Sequence, residues 1–168
     1  IIREIGPMIT ALIFSGKIGS SIGAELGSMK VTEQIDAMDV SGTNPYKYLV
    51  VTRVLACTLM LPVLVLLSDA IGLYGSFVGI NIHGSTSFQL FYKQVFDALL
   101  FADVIPAFLK TFVFGFAIGL IGCFKGFYSS KGTEGVGKSA NSAVVLSSVI
   151  VFILDLIPVQ ITDIMNIN

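Results

Sequence analysis

The sequence predicts an all-α, polytopic integral membrane protein, with about four transmembrane helices in a single domain over 1–168. Three observations lead there. Of the 168 residues 54% are hydrophobic and only 12% charged, where soluble domains carry roughly 25% charged residues. Mean hydropathy is +0.88. The apolar residues also gather into runs of the roughly 20 residues that a bilayer crossing needs, with polar stretches between them. A surface this poor in charge implies lipid as its solvent.

The first span covers about 5–26 and is interrupted by Lys17; the charged stretch "MKVTEQIDAMDVSGTNP" follows it. A second apolar run extends over 48–80, and its first part, about 50–74, suits a spanning helix. The next stretch is too polar to cross, but Phe88, Phe91, Tyr92, Val95, Phe96 and Leu99 recur at helical spacing. It reads as a short helix lying along the membrane surface. A third span covers about 104–124, a polar loop runs from Lys125 to Lys138, and a fourth span covers about 140–161. Positive charge sets the orientation. Lys30, Lys47, Arg53, Lys125, Lys131 and Lys138 fall on one side and Arg3, Lys93 and Lys110 on the other, so the first set is expected to be cytosolic. The surface helix is then periplasmic.

Several function classes are excluded by composition. A net charge of −1 argues against a nucleic-acid partner, which needs a basic surface. Cys57 and Cys123 lie inside apolar runs and read as small buried hydrophobes. With His83 the sole histidine, neither a His-based metal site nor a nucleophile–base pair can be assembled, and no cofactor or metal is expected in this chain. The chain opens at Ile1 without a basic leader, and a fragment lacking an earlier helix and first span is the expectation.

"KGTEGVGKSAN" fits the phosphate-loop pattern through Gly132, Gly137, Lys138 and Ser139. A phosphate loop needs a strand before it and a helix after it in an α/β domain. Here apolar spans flank it, so a flexible cytosolic loop is expected instead.

In the first span Gly16, Gly19, Gly23 and Gly27 form a face almost without side chains. Small residues at spacings of four let helix backbones approach closely in lipid. The face suits packing within the chain or across a homodimer. Lys17 must snorkel, pair or face a polar cavity, and Glu25, two turns on, lies roughly on its face. In "VTEQIDAMDVSGTNP", Val31, Ile35 and Met38 share one helical face, with Glu33, Gln34, Asp36 and Asp39 around the rest. Thr32 is expected to cap this helix, and Gly42 and Asn44-Pro45 to end it. A short amphipathic helix with an acidic outer face, between two spans, suits docking into a groove on a cytosolic motor subunit.

"REIGPMITALIFSGKIGSSIGAELGSMKVTEQIDAMDVSGTNPYKYLVVTR" resembles the signature stretch of the MlaE family, the permease subunits of ABC transporters that move phospholipids. "GTEGVGKSANSAVV" is similar to that family's last cytosolic loop. The resemblance implies a homodimeric permease of the bacterial inner membrane, not itself an enzyme. It also implies cytosolic ABC ATPase subunits that bind ATP and Mg, and a periplasmic MCE-domain lipid-binding protein. It assigns 31–40 as the coupling helix. Candidate substrate-cavity residues are then Arg3, Glu4, Pro7 and Lys17, together with the glycine face. A permease for sterol or solvent, or a structural membrane protein without transport, are the alternatives.

Overall fold

The computed structural model describes residues 4–83, 87–98, 101–130 and 132–166. Seven α-helices and two π turns make up its regular structure, and no strand occurs among the described residues. Four stretches are long and apolar enough to cross a membrane: Ile5–Val31, Tyr46–Ile82, Val104–Phe127 and Thr133–Ile157. Large apolar side chains remain exposed along all four, Ile13, Leu59, Phe116 and Ile153 among them. Lipid covers such a surface at no hydrophobic cost.

The first span joins α1 (Ile5–Phe14) to α2 (Ser20–Val31) through a π turn, Ser15–Gly19. Pro7 lies in the first turn, where its missing N–H costs nothing. The π turn coincides with Gly16 and Gly19, poor helix formers, and Ser20 Oγ donates to the carbonyls of Gly16 and Lys17 at 2.6 and 3.1 Å. Single π turns inside α-helices are frequent at functional sites.

Helix α3 (Gln34–Val40) follows α2 after two residues, Thr32 and Glu33, and is set apart by Glu33, whose φ of +60° is left-handed. Asn44 caps the next helix, its Oδ1 accepting the backbone N–H groups of Tyr46 and Lys47 at 3.1 and 3.2 Å. A second π turn (Tyr46–Val51) leads into α4 (Thr52–His83). The helix continues well past the expected end at 74. Helix α5 (Phe88–Ala98) rests on α4 through Phe88 and Phe91, whose rings lie 5.2 and 5.5 Å from that of Phe77.

Helix α6 (Phe101–Phe127) is the central column, packed against α2, α4 and α7 (Thr133–Asn166). Glycines allow that closeness. A Cβ at Gly115 would meet Thr58 Cα of α4 at 2.9 Å, and one at Gly126 would meet Leu26 Cβ of α2 at 2.6 Å. One at Gly119, four residues after Gly115, would meet Val54 Cα at 3.1 Å, and one at Gly122, four before Gly126, would meet Ile22 Cβ at 3.3 Å, so α6 uses the same four-residue spacing of small residues as the first span. Phe114, Leu26, Leu61, Ile118 and Val151 form the fully buried centre.

The expected loop from Lys125 to Lys138 is largely helix. Only a short connection from Tyr128 to Gly132 separates α6 from α7, and Gly132 turns the chain at φ +93°. Gly137, Lys138 and Ser139 of the phosphate-loop pattern are helical. Ser139 Oγ donates to Gly23 O at 3.1 Å, so the hydroxyl that would hold magnesium in a phosphate loop joins two helices here.

Candidate functional site

The π turn sorts the residues of the first span between two faces. Ser15 and Gly19 are buried toward α7, where Ser15 Oγ shares a hydrogen bond with Ser147 Oγ at 2.7 Å. Lys17 points the other way and is exposed. There a groove of about 560 Å³ opens between this span and α4. Ile13, Phe14, Ile18, Leu64, Leu67 and Ile71 line it, with Thr10 and Ser68, and Lys17 supplies its one charge. Lys17 stands twelve residues into a 27-residue span, close to its middle. It has no ion-pair partner among the described residues. An unpaired ammonium at this depth is expensive unless something anionic or wet meets it.

Glu25 does not reach Lys17. Its Oε1 accepts a hydrogen bond from Arg53 Nη2 at 2.7 Å, while Arg53 Nη1 donates to Leu49 O at 3.1 Å. The pair ties α2 to the first turn of α4, and the shared face expected for Lys17 and Glu25 is replaced by a bridge between helices. The extra residue of the π turn shifts every later residue around the axis, which fixed α-helical periodicity could not anticipate.

Pro7 is buried beside a second cavity of about 280 Å³ between α1, α4 and α6. Val65, Leu73, Val104 and Phe108 line it, and Asp69 is its acid; one carboxylate oxygen of Asp69 is buried without a hydrogen-bond partner among the described residues. Glu4 is half-buried at the start of α1 and makes no capping hydrogen bond. Arg3 lies outside the described residues. The structure thus places Pro7 and Lys17 at two separate cavities.

Three of the four glycines on the first span face inward. A Cβ at Gly23 would come within 3.2 Å of Ala140 Cα and Ala143 Cβ, one at Gly27 within 2.9 Å of Ser139 Oγ, and one at Gly19 would stand 3.6 Å from Ile118 Cγ2 and Ser147 Oγ. These contacts are all within the chain. Gly16 alone of the four has nothing within 4 Å.

The segment 31–40 also divides. Val31 closes α2, and Thr32 Oγ1 donates back to Ser28 O at 2.9 Å rather than capping α3. Glu33, left-handed, precedes the helix and stands outside its regular turns. Asp36 instead accepts from Lys30 Nζ at 2.7 Å. Ile35 is only 2% exposed and Met38 packs alongside the same core. The apolar face of α3 is therefore committed inward, while Gln34, Asp36, Asp39 and Val40 face outward.

One polar contact was missed from the sequence. Lys110 Nζ of α6 meets Asp155 Oδ1 of α7 at 2.8 Å, and both residues are buried. Charges inside apolar runs were the available signal; their pairing across 45 residues was not readable from spacing.

The chain matches the family model described as Permease MlaE over residues 1–161. It is 45% identical over 152 residues to a protein of Rickettsia typhi named "Probable ABC transporter permease protein", covering 90% of this chain and 58% of that one. A protein of the same designation from Synechocystis is 41% identical over 151 residues, covering 90% and 57%. One from Pyropia yezoensis is 43% identical over 159 residues, covering 92% and 59%. The chain thus spans 57–59% of the length of these relatives. With the family match running through all four spans and both cavities, the chain belongs to the MlaE permease family.

Proposed function

We propose that the chain is the membrane-spanning permease part of an ABC transporter for phospholipid, and that the Lys17 groove receives the cargo. The observation that carries this reading is the groove itself: an apolar wall some 560 Å³ in extent with a single ammonium near the middle of the span. Acyl chains take the wall and a phosphate takes the charge. A sterol or solvent would have no use for the lysine.

Force reaches the groove along a short path. Helix α3 presents Asp36 and Asp39 outward to the basic rim of a cytosolic ATPase, which binds ATP and Mg. Ile35 and Met38 anchor α3 in the core shared with Phe14 and Ile22, so displacement of α3 moves the first span with it. The π turn is the weak point at which α1 and α2 can change their relative rotation. Ser15 keeps its hold on α7 while Lys17 swings toward or away from the groove. In this reading Gly16, whose surroundings are open, faces a second copy in a homodimer. Glu4 stands at the periplasmic mouth, toward an MCE-domain lipid carrier, in a bacterial inner membrane.

Lipid mass spectrometry on the full-length complex purified with its partners tests the proposal. It should show one phospholipid retained per groove and lost on Lys17→Leu. A retained sterol, or the absence of any ATPase from the purified complex, would contradict it.

A further inference from the structure

The turn joining α6 to α7 carries a cavity that the transport reading does not use. It measures about 270 Å³ and lies at the α3 end of the bundle, opposite the Pro7 cavity in chain order along each span. Lys125 and Tyr128 enter it from the end of α6, and Gly135, Lys138 and Ser142 from the first turns of α7. Two ammonium groups from different helices thus line one concavity.

Neither lysine has an acidic partner among the described residues. Glu134 sits four residues before Lys138 on the same helix, yet forms no ion pair with it. Lysines that only balance membrane orientation are free to diverge into water. These two instead line one concavity, Lys125 half-buried and Lys138 exposed, and two like charges on one cavity favour an anion there. The neighbouring serines are otherwise engaged: Ser139 Oγ donates to Gly23 O or Val136 O, and Ser129 Oγ to Ser130 O. The donors left for a ligand include the two ammonium groups and the hydroxyls of Ser130 and Ser142.

The depth of the cavity indicates the kind of anion. Tyr46, Tyr48 and Tyr128 are exposed at this same end, and Tyr46 stacks on Phe127 with centroids 4.5 Å apart. Aromatic rings with a polar tip mark the headgroup level of a bilayer. Basic pockets between transmembrane helices at that level take anionic headgroups.

We propose that the Lys125–Lys138 cavity binds a phosphate group, held by both ammonium groups and Ser142, supplied by an anionic lipid headgroup or by free phosphate. The site is separate from the Lys17 groove and serves as a resident contact between the α6–α7 turn and its surroundings. It also gives one glycine and the lysine of "GTEGVGKS" a physical role without a phosphate loop: Gly135 lets α7 start directly against Ser130, where a Cβ would collide with the Ser130 carbonyl, and Lys138, one turn on, lines the cavity that Lys125 also lines.

The test uses the full-length permease in its complex, in detergent, by native mass spectrometry and ³¹P NMR. One arm titrates phosphatidylglycerol against phosphatidylcholine of equal chain length; the other titrates inorganic phosphate. Wild type should bind phosphatidylglycerol in preference, or broaden the inorganic phosphate resonance, the first result assigning the headgroup and the second free phosphate. The pair Lys125→Gln and Lys138→Gln should weaken that binding roughly 30-fold, two surface cations' worth, and the corresponding Lys→Arg pair should retain it. Lys17→Gln should remove the one phospholipid of the cargo groove, whichever its headgroup, and leave the preference for phosphatidylglycerol over phosphatidylcholine in place, which separates this site from that groove. Equal binding by wild type and the double Gln variant in both arms would overturn the proposal.

Discussion

Two lysines inside the membrane spans meet opposite fates. Lys110 is buried and closed, its ammonium 2.8 Å from Asp155 between α6 and α7. Lys17 is exposed and lines an apolar groove, with no acid beside it among the described residues. A buried pair satisfies itself and holds two helices together, whereas an unpaired charge at similar cost waits for something else to satisfy it. The contrast separates a fixed half of the bundle, α6 with α7, from a half built around a π turn.

The comparison breaks most visibly at Lys110. Lys110→Leu leaves Asp155 charged and alone, and should cost about 3–5 kcal/mol. Combined Lys110→Leu and Asp155→Leu should recover most of that loss, since an apolar pair of similar volume replaces a buried ion pair without strong penalty. Thermal unfolding of the full-length protein in detergent reads both. A double variant as unstable as the single would mean that the pair does more than satisfy itself.

The glycine face sharpens the same contrast at a smaller scale. Gly23→Leu forces a side chain where Ala140 Cα would stand 3.2 Å from the new Cβ, and should cost about 1–3 kcal/mol by overpacking. Gly16→Leu meets nothing within 4 Å and should leave the monomer's stability unchanged. If the open face is a dimer contact, Gly16→Leu should still lower the dimer fraction by native mass. Stability lost equally in both variants would erase the distinction between the inward and outward glycines.

The smallest expected effect is at α3. Asp36→Lys removes the exposed contact with Lys30 and should change stability by less than about 1 kcal/mol, because Ile35 and Met38 hold the helix. Reversal of Asp36 and Asp39 together should weaken co-purification of the ATPase, more at low salt than at high. Unchanged co-purification at low salt would remove the acidic face from the docking surface.

How legible this was varied with the range of the interaction. The four spans follow from runs of apolar residues, a local property, and all four stand in the structure. The start of α7 did not follow. Gly135 and Gly137 read as a loop because glycine weakens a helix by roughly 1 kcal/mol in isolation; contact with Ser130 and the Ser139–Gly23 bond override that preference. Thr32 looked like a cap, but its hydroxyl bonds backward to Ser28, and the turn is made by a left-handed Glu33. Of the cavity residues, Lys17 stood out as a charge in an apolar run, while its groove depends on where α4 packs. Lys110 with Asp155, and Glu25 with Arg53, are partners from different helices, and only tertiary packing chooses them.

The central claim is that Lys17 meets the phosphate of a transported lipid. The direct measurement is ATP-driven transfer of a fluorescent phospholipid by the full-length complex in proteoliposomes, comparing wild type with Lys17→Gln and Lys17→Arg. Loss of transfer in Lys17→Gln, retention in Lys17→Arg and an unchanged melting temperature in both are the predicted results. Undiminished transfer by Lys17→Gln would contradict the account and leave the groove without a function.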